Sequence, residues 1–141
     1  MKKYSFNFEK SKKIYDDNSC NIEVKNCYKN IFYIAVEHMK KIKSKQWRIT
    51  YGYVLSVDNI LVRHCFLLDE DDTVLDPTFF SVNRRDIKNR FFYVSYIFVN
   101  IEEYLRALQK DGNNAGLYNY LEEYDKKVQE WASEHDLIVI S

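Results

Sequence analysis

The apolar positions fall into two periods. From residue 31 to 42 they recur at helical spacing: Ile31, Ile34, Ala35, His38 and Ile42 lie at i, i+3, i+4, i+7 and i+11, one face of an amphipathic helix. Asn26 stands where an N-cap belongs, which sets Cys27 in the first turn on the edge of that stripe. Lys40, Lys41, Lys43 and Lys45 suit the negative end of the helix dipole. From residue 47 the period shortens. Residues 47–57 are rich in aromatic and β-branched side chains, with Gly52 among them, and predict a strand. Residues 60–68 and 73–76 predict two more, joined as a hairpin through the turn Asp69-Glu70-Asp71-Asp72. Pro77 has no N–H to donate and ends that pairing. Residues 91–99 predict a further strand. Asn100-Ile101-Glu102-Glu103 has the form of a capping box, and its helix runs to about Lys110, stopped by Gly112. Leu117, Tyr120, Leu121, Tyr124, Val128, Trp131 and Ala132 restore helical spacing over 117–134, before a terminal strand at 137–140. The start predicts a short strand at 4–8, then polar, turn-like sequence over 16–26. Helix, antiparallel strands, then helices is the order of an α+β fold.

Composition narrows the class. The chain has 141 residues, the length of one domain over 1–141. Three Gly and one Pro exclude collagen-like and low-complexity classes. Lys+Arg and Asp+Glu are 21 each, and a zero balance argues against a nucleic-acid coat or a polybasic membrane binder. The basic stretches 40–48 and Arg84-Arg85-Asp86-Ile87-Lys88-Asn89-Arg90 read as solvated surface. No apolar run approaches the ~20 residues of a membrane span, and the first nine residues lack a signal peptide's apolar stretch. A cytoplasmic protein with reduced thiols is expected. The bias toward Lys, Asn, Ile, Tyr and Phe points to an AT-rich bacterial or phage genome. The three cysteines form no CxxC pair, so neither a zinc knuckle nor a redox pair is suggested. His38 and His135 have no ligand-spaced partners, and no metal or cofactor is expected.

Three residues together suggest chemistry. A thiol attacks as its thiolate, and a free Cys, with a pKa of about 8.5, is mostly protonated at neutral pH. A helix N-terminus supplies partial positive charge and free N–H groups, and Cys27 is placed to use both. The same N–H groups suit an oxyanion. A base is needed next. His64 lies within a strand, and alternation puts it on the face of Val62, Phe66 and Leu68. A third group must orient the imidazole. With an odd hairpin turn, of three or five residues, Asp76 lies directly opposite His64; with four, Cys65 takes that place. Cys65 otherwise alternates away and reads as structural, and Cys20 as a loop thiol. Gly52 opens two alternatives, approach of a substrate backbone or a crowded bulge. Tyr51 and Tyr53 share a face, as cleft walls or as core.

The segments Cys27-Tyr28-Lys29-Asn30-Ile31, Tyr51-Gly52-Tyr53, Val62-Arg63-His64-Cys65-Phe66 and Val74-Leu75-Asp76-Pro77-Thr78 resemble the transglutaminase-like core of the papain-like cysteine hydrolase superfamily. The resemblance spans about residues 26–80, leaving 81–141 to complete the domain. It implies a papain-like fold in which the Cys-bearing helix packs on an antiparallel sheet, with additional C-terminal helices. It implies nucleophile Cys27, base His64 and orienting Asp76, with Asn26, Tyr51, Gly52 and Tyr53 as substrate-binding candidates. Asn18 and Asn21 are candidates for an oxyanion side chain. The expected activity is hydrolysis or acyl transfer at an amide-type bond of a protein, peptide or small amide. The alternative is a catalytically inactive member of the fold that binds or inhibits a protein partner, of phage or mobile-element origin.

Overall fold

A computed structural model describes residues 1–81 and 90–140 of the chain. Among these residues the fold is α+β, built on a six-stranded mixed sheet. The strands are β1 (Tyr4–Ser5), β2 (Arg48–Leu55), β3 (Ile60–Leu68), β4 (Val74–Leu75), β5 (Phe91–Ile97) and β6 (Ile138–Ile140). Their order is β1-β5-β2-β3-β4, and β6 joins β3 on the same edge as β4. All pairs are antiparallel except β3 with β6, which is parallel and corrects the expectation of a wholly antiparallel sheet. The long strands follow the sequence closely. β2 stops at Leu55, short of residue 57, because Asp58 and Asn59 take left-handed backbone to turn the chain into β3.

Alternation on β3 sorts the two faces. Leu61, Arg63, Cys65 and Leu67 face one side and Val62, His64, Phe66 and Leu68 the other. On the first side lies the main core, with Ile31, Ile34 and Ala35 of α2 (Cys27–Glu37), Tyr104 and Ala107 of α4 (Ile101–Lys110), and Tyr51 of β2. Val128 and Ala132 of α5 (Glu122–Glu134) extend the cover over Tyr53, Leu61 and Tyr93. The second face is packed by Phe66, Phe92 and Val74 with the N-terminal Tyr4 and Phe6.

The helical stripe from Cys27 breaks at His38, where the backbone leaves helical geometry and a five-residue helix, α3 (Met39–Lys43), carries on. α1 (Phe8–Asn18) takes residues 16–18 from the turn-like stretch expected over 16–26, whose remainder stays without α-helix or strand up to Cys27, and truncates the strand expected at 4–8. Its buried stripe escapes a hydrophobic count because two of its three members, Ser11 and Asn18, are polar and only Ile14 is apolar. Asn7 caps it, accepting from Lys10 N–H at 3.0 Å, and Lys12–Asp16 and Lys13–Asp17 line its outer side. Asn100 caps α4 as the capping pattern requires, accepting from Glu103 N–H at 2.8 Å. The last helix starts at Glu122 rather than 117, since Leu117 adopts φ 52°. No described helix is long and apolar enough to cross a membrane.

Candidate active site

β3 is flanked unevenly. β6 pairs with Ile60–Val62 and β4 with Leu67 and Leu68, so neither pairs with residues 63–66. His64 and Cys65 lie in that stretch; Cys27 belongs to the same core cluster as Cys65 and favours the charged form of His64. Cys27 is the first residue of α2 and is 8% exposed.

The third residue arrives through the hairpin. Leu68 pairs with Val74, so the turn spans the five residues 69–73. Asp69 organises it: its carboxylate accepts from Asp71 N–H, Thr73 N–H and the Thr73 hydroxyl. The odd turn puts Asp76 on His64's side of the sheet, but the register falls two residues from the expected one. Extending the Leu67–Leu75 and Leu68–Val74 register places Asp76 across from Phe66, so it meets His64 diagonally. The contact is close all the same, with His64 Nε2 2.9 Å from Asp76 Oδ1. Each partner favours the charged form of the other. The Asp76 side chain is fully buried, while His64 keeps 13% of its side chain exposed.

The pair is held from several sides. Ser11 of α1 accepts Asp76 N–H at 2.9 Å. Arg90 places Nη1 3.0 Å from Asp76 Oδ2 and lies over the rings of Phe79 and Phe92. Residues 84–89 lie outside the described residues, but Arg90 corrects the expectation that the whole basic run is solvated surface. Its place had one sequence signal: two residues before Phe92, it shares that residue's side of the strand. Burial opposes charge on His64, yet Asp76 and Cys27 outweigh it and push the imidazole pKa up to about 10. Burial likewise opposes ionisation of Asp76, and His64 and Arg90 overcome it, holding the carboxyl below its ordinary value.

The other candidates divide. Asn26 occupies the N-cap position without capping; its amide donates to Glu23 Oε2 at 2.7 Å. Asn30, one turn into α2, orders the approach to Cys27 instead. Its carbonyl accepts from Glu23 N–H at 2.9 Å, and its amide donates to Glu23 C=O and to the Thr78 hydroxyl. Tyr51 and Tyr53 are fully buried, which corrects their assignment as substrate contacts: they are core. Gly52 lies opposite His64, at an irregularity in the β2–β5 register. A β-carbon there would come 2.0 Å from the Tyr93 carbonyl oxygen. Crowding by β5 therefore accounts for this glycine, not approach of a substrate. Asn18 bonds Ile14 C=O and His38, and Asn21 donates to Tyr33, so both amides have other partners. Cys65 is buried, and Cys20 is exposed.

A cavity of about 210 Å³ opens beside His64 and Asp76, walled by Val54, Val62 and Phe79 and rimmed by Lys25. A larger one, about 410 Å³, lies away from the three residues between α1, Trp47 and the 69–73 turn. Among the described residues, no three His, Cys, Asp or Glu side chains converge to hold a metal ion. No protein family, curated protein or solved structure matches this chain.

Proposed function

We propose that the protein is a papain-like cysteine hydrolase or acyl transferase acting on an amide-type bond. One observation carries the proposal: a buried carboxylate 2.9 Å from the Nε2 of an imidazole whose charge the thiol at the start of α2 also favours. Nε2 is engaged by Asp76, which leaves Nδ1 for the thiol. His64 takes the thiol proton, and Cys27 Sγ attacks the carbonyl carbon. The tetrahedral oxyanion draws on the free N–H groups at the start of α2. The imidazolium then gives its proton to the leaving amine, and an acyl-enzyme remains. Water, or an amine in a transferase, attacks with its proton passing to His64 and releases the thiol. Asp76 holds the ring in one orientation and balances its charge.

The test is site-resolved alkylation of the native protein with iodoacetamide at pH ~6 and ~8. Cys27 should react faster than the exposed Cys20 at the lower pH, and His64→Ala should slow it. If Cys27 behaves as an ordinary thiol in both proteins, the triad is not at work. In any substrate assay that responds, Cys27→Ala should abolish turnover.

A second reading, a binding module without turnover, draws on the 8% exposure of Cys27. It predicts that variants of Cys27, His64 and Asp76 leave partner binding intact.

A further inference from the structure

The cavity beside His64 has an uneven distribution of charge. Among the described residues, Lys25, His64 and Arg90 line it against a single carboxylate, Asp76. Asp76 is already shared by two of those cations, at 2.9 Å from His64 and 3.0 Å from Arg90. Lys25 is different. It is exposed at the rim, two residues before Cys27, and forms no ion pair with a carboxylate among the described residues. The nearest acid in sequence, Glu23, is taken by Lys29 at 3.0 Å and Asn26 at 2.7 Å. Lys25 also holds a left-handed backbone, φ 58°, which glycine adopts without cost and lysine does not. The remaining wall combines apolar Val54, Val62 and Phe79 with the hydroxyls of Ser56, Thr78 and Ser81. Ser81 already donates to Thr78 C=O at 2.6 Å, so the hydroxyls of Ser56 and Thr78 remain, and with the apolar wall and one uncommitted cation at the mouth they suit a short chain ending in a carboxylate.

We propose that this cavity is a carboxylate subsite, with Lys25 as the residue that selects substrates bearing a free carboxylate beside the scissile amide. The inference rests on Cys27 being the nucleophile. The ammonium lies at the rim of the cavity that His64 lines, so it acts on capture and orientation of an incoming anion. Acidic peptides are the substrate class this favours, and amides carrying a cation in the same place are disfavoured.

Two alkylating agents of nearly the same size separate the ideas. Iodoacetate and iodoacetamide react alike: Cys27 Sγ forms a bond to the methylene carbon, the carbon–iodine bond breaks, and iodide leaves. They differ in the carboxylate. The rate ratio, iodoacetate over iodoacetamide, is measured at Cys27 and at Cys20 in the same sample by mass spectrometry. The ratio at Cys27 should exceed that at Cys20 and fall toward it as salt is raised. Lys25→Gln should lower it about threefold, and Lys25→Glu further, while Lys25→Arg keeps it. Rapid iodoacetamide labelling with a ratio indifferent to Lys25→Gln overturns the subsite alone. Slow labelling of Cys27 by both reagents overturns the nucleophile assignment and the subsite with it.

Discussion

At His64 three influences compete. Burial disfavours the imidazolium, whereas Asp76 and Cys27 favour it, and the ring's pKa is pushed up to about 10. The value for an unfolded chain is about 6.5. A folded value above the unfolded one means His64 stabilises fully below about pH 6.5 and loses that contribution as the pH climbs toward 10. Asp76 acts at the other end. Its pKa is lowered, so its contribution is present above the ordinary carboxylate range and is lost as the pH falls through the depressed value. The denaturation midpoint of the wild type should therefore drop between pH 7 and pH 10, and that of Asp76→Asn should drop less. Equal slopes in the two proteins would mean that Asp76 does not hold the charge on His64. The places of Cys27 at a helix start and of His64 on the Val62 side of β3 were legible residue by residue. Asp76 was legible only as a condition on turn length. Its second partner, Arg90, lies 14 residues on, at the end of a run of charge that looks like solvated surface, and Arg90 itself turns inward onto Asp76.

Two elements place the site, and each hinges on a residue whose role is local. β2 and β5 approach so closely at Gly52 that a β-carbon would lie 2.0 Å from a backbone oxygen. Backbone cannot swing aside as a long side chain can, so the strands must part. Gly52→Ala should cost about 3 kcal/mol, read from the urea midpoint, and a change within about 0.5 kcal/mol would show that the register adapts freely. Before α2, Asn30 satisfies the N–H and C=O of Glu23 and reaches the Thr78 hydroxyl. Asn30→Ala leaves these buried or half-buried groups without that partner, which should cost about 2 kcal/mol. Iodoacetamide labelling of Cys27 should also change in that variant, since the chain entering the helix loosens, and an unaltered rate would assign Asn30 to stability alone. The strong periods, in β2, β3, β5, α2 and α4, were readable because their buried sides are apolar. α1 was not, because Ser11 and Asn18 fill its buried stripe with hydrogen bonds in place of apolar area.

Across the whole molecule, one buried ion pair ties the C-terminal third to the site. Arg63 on β3 places Nε 2.9 Å from Asp125 Oδ2 on α5, with side chains 1% and 6% exposed. Its Nη1 also donates to Tyr28 Oη at 3.0 Å and to Gly116 C=O. Tyr28 follows Cys27 directly, and its ring stacks on Tyr51 at 5.9 Å, while Tyr118 covers the guanidinium at 4.3 Å. One cation thus joins β3, α2, the loop before α5, and α5 itself. No pattern in the sequence points to it, because Arg63 lies among apolar strand positions and Asp125 sits among the acids of a helix. Burying two charges costs more than an apolar pair would, and removing one partner is worse than removing both. Asp125→Ala should therefore destabilise the protein by about 3–5 kcal/mol. The double variant Arg63→Met/Asp125→Leu should recover much of that loss, because it leaves no charge stranded. A double variant less stable than Asp125→Ala would show that the remaining bonds of Arg63, to Tyr28 and Gly116, matter more than its charge partner. Labelling of Cys27 in the same proteins then tests whether this clamp reaches the site: Asp125→Ala should alter the rate through Tyr28.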